Sequence, residues 1–87
     1  MTVQNTDQPY LLAQTAMAQL KSAIHMVLSG AGEAGLKNAD IGHLLGIYMG
    51  YDGGHKGHIP RTLLAIMKTE GVAKQDETTE IWRLTCP

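Results

Sequence analysis

The sequence predicts a small, mainly helical domain that ends in an antiparallel β-hairpin, which places it in the α+β class. Two apolar stripes with helical spacing come first, one over residues 8–29 and a shorter one between Asn38 and Gly46. A third helical pattern over residues 58–70 then stops at Gly71 and leads into two extended segments around a polar turn. With 87 residues, the chain is long enough for one domain with a thin core.

The first predicted helix covers residues 8–29. Asp7 or Gln8 can cap it, and Pro9 fits its first turn. At 1.5 Å per residue such a helix is roughly 30 Å long, which is long for so small a domain. Its first half is rich in Ala and Gln and is expected to stand partly clear of the core. The apolar stripe consists of Leu12, Ala16, Leu20, Ala23, Ile24, Val27 and Leu28.

The second predicted helix is short and follows a glycine-rich loop over residues 30–35. Leu36 is a lone apolar residue just before it. Asn38 is the predicted N-cap, with Asp40 in the first turn near the positive end of the helix dipole. Gly46 is expected to end the helix and Ile47 to turn inward. The predicted apolar face consists of Ile41, Leu44 and Leu45.

The link over residues 48–57, YMGYDGGHKG, is longer than the three or four residues of a simple helix-turn-helix. Its four glycines allow either a mobile loop or a glycine-dependent turn at the surface. Stacking and hydrogen-bonding groups are supplied by Tyr48, Tyr51, His55 and Lys56. A solvated connection without further function is the other interpretation.

The third predicted helix, residues 58–70, has Pro60 near its start and Gly71 as its stop. Strands are predicted at residues 72–75 and 80–85, with a turn at 76–79. Trp82 and Leu84 then share one face of the second strand and Arg83 lies on the other, so Trp82 is expected to be buried. The apolar stripe predicted for the helix is Ile59, Leu63, Ile66 and Met67.

These patterns divide the chain into a flexible leader at residues 1–7, a single domain at 8–85 and a tail at 86–87. Cys86 is the only cysteine, so no intramolecular disulfide can form, as expected in a reducing compartment. The first residues lack the basic and apolar regions of a signal peptide, and no apolar run approaches about 18 residues. We therefore expect a cytoplasmic protein without a membrane segment.

Charge is unevenly distributed along the chain. The total is −1, whereas many nucleic-acid binders carry a basic excess. Residues 36–75 contain five basic and three acidic side chains, while residues 76–87 contain one basic and three acidic. Positive charge is therefore expected on the second and third helices and the link between them, and the hairpin turn is acidic.

The histidines and glycines do not form a recognisable metal or nucleotide site. His55 and His58 are an H-x-x-H pair with His43 and Asp52 nearby, but zinc sites normally need three or four ligands at defined spacing. The loop GYDGGHKG lacks the Gly-Lys-Ser/Thr that follows a strand in phosphate-binding loops. No Ser/His/Asp set stands out. We expect no metal, no cofactor and no enzymatic activity.

Residues 20–85 resemble a winged helix-turn-helix domain of the repressor type. The resemblance rests on LKNADIGHLLGI, then HIPRTLLAIMKTEGV, then a hairpin ending in EIWRL. The Z-DNA-binding type of winged helix is also similar, and Arg61 and Trp82 match two of its residues. However, Pro60 replaces its Asn, Leu64 replaces its Tyr, and Thr78-Thr79-Glu80 stands where its Pro-Pro pair is expected. The resemblance therefore implies the fold, with Leu36 packing as a minimal first strand, and duplex DNA binding without Z-DNA recognition.

This resemblance implies that helix 58–70 binds in the major groove of DNA, in a small transcriptional regulator or a DNA-reading module. Arg61 suits guanine O6 and N7, Thr62 and Ala65 suit a thymine methyl, and Lys68 suits a phosphate. The exposed side predicted for this helix consists of His58, Arg61, Thr62, Ala65, Lys68 and Thr69.

Two cations outside this helix are further candidates for DNA contacts, namely Lys56 in the preceding loop and Arg83 on the outer face of the last strand. The alternative function is a winged helix that binds protein or dimerises without binding DNA. The acidic hairpin and the small net charge favour this alternative.

A homodimer is predicted from the surplus length of the first helix. Leu11, Leu12, Ala16 and Met17 lie in its first half with few charges, so we expect a second copy to cover residues 8–20. A compact monomer in which these residues fold back is the competing model, with a radius of gyration near 12 Å.

Overall fold

The computed structural model of the chain describes residues 4–50 and 54–86, with side chains from Asp7 onward. Within these residues the chain forms three α-helices followed by a two-stranded antiparallel sheet, which confirms the predicted α+β class and gives a winged-helix-like layout. Residues 1–3, 51–53 and 87 lie outside the described residues, Tyr51 and Asp52 among them. In chain order the elements are α1 (Gln4–Ala31), a 3₁₀ turn (Gly32–Ala34), α2 (Asn38–Leu45), α3 (His58–Thr69), β1 (Ala73–Gln75) and β2 (Trp82–Leu84).

Helix α1 is longer than predicted, because it begins at Gln4 and includes Pro9. Its two halves have different surroundings. Ile24 and Leu28 are fully buried, whereas Leu12 is 72% exposed and Ala16 is also exposed. The predicted stripe is thus a core face in the C-terminal half alone. The helix projects beyond the rest of the protein, and the radius of gyration is 14.8 Å, above the roughly 12 Å of a compact chain of this length.

Helix α2 begins one residue earlier than predicted, because its N-cap is Lys37 and not Asn38. The backbone of Lys37 is extended, and its N–H donates to Asp40 Oδ2 at 3.2 Å, so Asp40 satisfies a free donor at the helix start. Gly46 ends the helix, and Ile47 packs against the core. Ile41 is buried, but the prediction for Leu44 was wrong because its side chain faces solvent.

Helix α3 ends at Thr69, and Gly71 has the positive φ expected of a helix stop. Its core face is rotated relative to the prediction. Ile59 is 37% exposed and Ile66 is half-buried, so both were wrongly assigned to the centre of that face. α1 and α2 both pack on α3, and the buried face between them consists of Pro60, Leu63, Leu64 and Met67.

The hairpin pairs Ala73 with Leu84, Lys74 with Arg83 and Gln75 with Trp82, and both strands are shorter than predicted. Leu36 adds a single antiparallel bridge, in which its N–H donates to the Trp82 carbonyl at 3.0 Å and its carbonyl accepts the Trp82 N–H at 2.7 Å. This confirms the minimal first strand. Gly35 permits the approach, since a Cβ there would lie 2.5 Å from the Trp82 carbonyl oxygen and its φ is +66°.

The core joins α1, α2, α3 and the hairpin, and Trp82 is 5% exposed within it, as predicted. Trp82 is the largest side chain of a cluster otherwise made of aliphatic residues, Met67 and Ala73. A partly exposed ion pair between Lys21 Nζ and Glu70 Oε2, 2.9 Å apart, also joins α1 to the end of α3. The buried apolar residues are Ile24, Leu28, Ile41, Leu63, Leu64, Met67, Ala73, Trp82 and Leu84.

Candidate nucleic-acid interface

The outer face of α3 carries the side chains that the sequence predicts for DNA contact. The buried residues of α3 fix its rotation, so the opposite side of the helix points to solvent. The side chains of Arg61 and Lys68 make no hydrogen bond or ion pair to any other residue that the structure describes. Thr69 Oγ1 donates to the Ala65 carbonyl at 3.1 Å. All six predicted residues are exposed on this face: His58, Arg61, Thr62, Ala65, Lys68 and Thr69.

The start of α3 is set by Gly57, which is buried and has a φ of +85°. Its carbonyl accepts the backbone N–H of Arg61 at 3.1 Å and also the side-chain amide of Asn38 at 3.1 Å. The hydrogen bond from Asn38 therefore joins the start of α2 to the first turn of α3. Lys56, one residue earlier, is exposed next to this helix start. The predicted cation is thus adjacent to the exposed face of α3.

The link before α3 forms a glycine-dependent turn around Tyr48 in its described part. A Cβ at Gly57 would lie 2.8 Å from Tyr48 Cε1, and a Cβ at Gly42 would lie 2.8 Å from Tyr48 Cβ. The ring of Tyr48 also stacks obliquely on His43, with centroids 4.4 Å apart. Because two glycines frame one aromatic ring, the turn fixes the position of α3 relative to α2.

Sequence reasoning missed the roles of Asn38 and Tyr48 in placing α3. The sequence predicts Asn38 as a local cap, whereas its side-chain amide donates to the carbonyl of Gly57, nineteen positions away. A signal existed in the sequence, because Gly42 lies in the middle of α2, where glycine is unfavourable for the helix. Such a glycine indicates close approach by another part of the chain.

Arg83 does not lie free on the hairpin as the phosphate-contact prediction requires. It is half-buried, and its Nε–H donates to the backbone carbonyl of Glu33 in the 3₁₀ turn that follows α1. It therefore holds the hairpin against this turn. Its cross-strand neighbour Lys74 is exposed and lies with it along a groove of about 660 Å³ formed with Leu28 and Gly32.

The hairpin turn is acidic and is organised by Asp76. Oδ1 of Asp76 accepts the backbone N–H groups of Thr78 and Thr79 at 2.8 and 3.0 Å. The hydrogen bond from the Thr79 N–H lowers the pKa of the Asp76 carboxyl below its usual 3.8, and the bond from the Thr78 N–H adds a smaller effect in the same direction. This carboxylate is therefore charged at neutral pH, with Glu77 and Glu80 exposed beside it, so the turn does not attract phosphate.

The described residues around His55 and His58 do not form a group that could hold a metal ion. The rings of His55 and His58 meet edge to face with centroids 6.1 Å apart. Among the described residues, no group of three or more His, Cys, Asp or Glu side chains is placed to hold a metal ion. Asp52, which the sequence places nearby, is outside the described residues.

A second, smaller groove lies between α1 and the start of α3. Its volume is about 270 Å³ and its lining is almost entirely apolar. It includes His58 and Thr62 from the outer face of α3, and next to it the first half of α1 is uncovered. The residues that line the groove are Met17, Leu20, His58, Ile59, Thr62 and Leu63.

Comparison with protein-family models, with curated proteins and with solved structures found no match for this chain. No helix in the described part of the chain is long and apolar enough to cross a membrane. The function therefore has to be argued from the site itself.

Proposed function

We propose that this chain binds duplex DNA through the outer face of α3, as a small transcriptional regulator or a DNA-reading module. The observation that carries the proposal is the exposure of six predicted contact residues on one face of a short helix that α1, α2 and Gly57 hold in place. Two of them, Arg61 and Lys68, are cations whose side chains have no partner among the described residues.

The chemistry assigned to these residues follows from their types. The guanidinium of Arg61 donates two parallel hydrogen bonds to guanine O6 and N7, and Lys68 neutralises a phosphate. Ala65 and the methyl group of Thr62 suit contact with a thymine methyl. Lys56 adds a phosphate contact next to the helix start. Arg83 is not part of this proposal, because it is engaged with Glu33.

The experiment that tests this proposal begins by selecting bound duplexes from a randomised library. Arg61→Ala is expected to weaken binding to the selected duplex by about 1–3 kcal/mol and to relax base preference. Lys68→Ala is expected to weaken binding to all sequences alike and to lower the salt slope by about one. Lys74→Ala, an exposed cation on the hairpin, is the matched control and should change neither property. Arg61→Ala and Lys68→Ala proteins that bind as the wild type does would exclude α3 as the contact surface.

Homodimerisation without DNA binding is the second candidate function, and two observations favour it. The first half of α1 leaves Tyr10, Leu11 and Leu12 between 60% and 72% exposed. The turn around Asp76 repels phosphate, and the chain as a whole has a net charge of −1. A dimer that recovers no duplex from the library would favour this alternative. A dimer that does bind DNA is expected to prefer two-fold symmetric sites.

A further inference from the structure

Helix α1 carries a continuous seam of the coiled-coil type, with spacings alternating between three and four residues. Of its members, Ile24 is buried in the domain, Met17, Leu20 and Val27 are half-buried, and the two N-terminal members are exposed. Tyr10 at the bare end is 64% exposed. The core of the domain therefore covers only the later part of the seam. In order, the seam residues are Tyr10, Ala13, Met17, Leu20, Ile24 and Val27.

The bare end of the seam leads directly into the groove between α1 and α3. Met17 and Leu20 belong to both, and Ile59 and Leu63 form the opposite wall. The groove holds about 270 Å³. Each copy of the chain thus has an uncovered aromatic side chain at Tyr10 and, about three turns further along the same helix, an unfilled apolar groove.

The charges of α1 distinguish the orientation in which two copies would pair. From Asp7 to Ala31 the helix has one acidic residue, Asp7, and one Lys or Arg residue, Lys21. Asp7 and Lys21 are two heptads apart, and Gln14 lies midway between them. If Tyr10 is heptad position a and Ala13 is position d, all three residues occupy position e and lie along one edge of the seam. An antiparallel pair centred near Gln14 brings Asp7 of each copy opposite Lys21 of the other, which also pairs with Glu70 of its own copy at 2.9 Å. A parallel pair brings like charges to the same level.

We propose that a second copy of this chain docks antiparallel along α1, so that Tyr10 of each copy fills the α1–α3 groove of the other. In this register Tyr10 lies against Leu20 of the second copy, and the small Ala13 lies against the larger Met17. The patch is self-complementary, as a two-fold interface requires. This inference rests on the homodimer proposed above and does not depend on DNA binding.

The dimer leaves the main DNA-contact cations free. Arg61 and Ile59 are two residues apart in α3, so their side chains point to nearly opposite sides of the helix, and Lys68 lies on the same side as Arg61. Docking at Ile59 therefore leaves Arg61 and Lys68 exposed. The same docking covers part of His58 and Thr62, which line the groove.

Sedimentation equilibrium over a concentration series tests whether the pair forms. Tyr10→Ala is expected to raise the dimer dissociation constant at least tenfold. Leu11→Ala is the matched control, because Leu11 is equally exposed but lies away from the seam, and it should leave the constant unchanged. Both positions are exposed, so circular dichroism should show that both variants remain folded. A wild-type chain that stays monomeric would overturn the homodimer and this geometry together.

Cross-linking tests the orientation separately. In a Cys86→Ser background, Gln14→Cys is expected to cross-link to itself with a short bis-maleimide, because residue 14 lies beside the two-fold axis. Thr15→Cys points away from the seam and should not cross-link. If the wild-type chain sediments as a dimer but Gln14→Cys does not cross-link, or Thr15→Cys cross-links equally, the antiparallel register is wrong while the homodimer stands.

Discussion

The two halves of α1 have similar apolar patterns and opposite surroundings. In the C-terminal half, Ile24 and Leu28 lie in the centre of the core, while in the N-terminal half Leu11 and Leu12 are 60% and 72% exposed. An apolar stripe therefore predicts that a helix face favours burial, but it does not say what covers that face. Here the domain covers one half of α1, and the other half is the basis of the proposed dimer.

The largest expected effect is in the core that covers the C-terminal half of α1. Trp82→Ala removes its largest side chain and should cost about 3–5 kcal/mol of unfolding free energy, because the remaining aliphatic residues cannot fill the cavity. Chemical denaturation followed by circular dichroism measures this. An unchanged midpoint would show that the hairpin is peripheral to the core.

A direct comparison of the two halves uses one aliphatic residue from each. Ile24→Ala is expected to cost about 2–5 kcal/mol because Ile24 is fully buried. Leu11→Ala should stay within about 0.5 kcal/mol because its site is exposed and off the seam. Denaturant titration of both variants, at equal protein concentration, gives the two values. Equal costs would mean that residues 7–16 fold back onto the domain.

A smaller effect is expected at the turn that positions α3. Gly57→Ala forces a Cβ into Tyr48 and into a left-handed backbone conformation, which should cost about 1–3 kcal/mol. Gly30→Ala, in α1 with no atom within 4 Å of the added Cβ, should instead stabilise the chain by about 0.5–1 kcal/mol. The melting temperature should therefore fall for Gly57→Ala and rise for Gly30→Ala. A Gly57→Ala protein as stable as the wild type would contradict the role assigned to this turn.

The sequence predicted the outer face of α3 better than its inner face. The six polar or small outer residues are all exposed because α1, α2 and the hairpin pack elsewhere. The inner face was misassigned because Ile59 and Ile66 fit a helical spacing as well as Pro60 and Leu64 do. The choice depends on where α1 and α2 pack, which lies outside any local window. The partner of Arg83 was invisible for the same reason, since Glu33 is fifty residues away.

The smallest expected effect is local and depends on pH. The pKa of Asp76 is lower in the folded chain than in the unfolded chain, because its carboxylate accepts hydrogen bonds from Thr79 and Thr78. These bonds stabilise the turn at pH values above the pKa of the unfolded chain, and the stabilisation is lost as the pH falls through the pKa of the folded chain. The amide signals of Thr78 and Thr79 should therefore titrate together with a midpoint below 3.8. Asp76→Asn, which does not titrate, is the control. A midpoint at or above 3.8 would contradict the hydrogen bonding described for this turn.

The most direct measurement for the central claim is an NMR titration of the full chain with a duplex recovered from the randomised library. If α3 binds DNA, the backbone amides of residues 56–69 should shift most, and those of the acidic turn at 76–81 should shift little. Arg61→Ala should reduce the shifts in α3 at the same DNA concentration. Shifts confined to residues 10–20, or no shifts at any DNA concentration, would contradict DNA binding by α3.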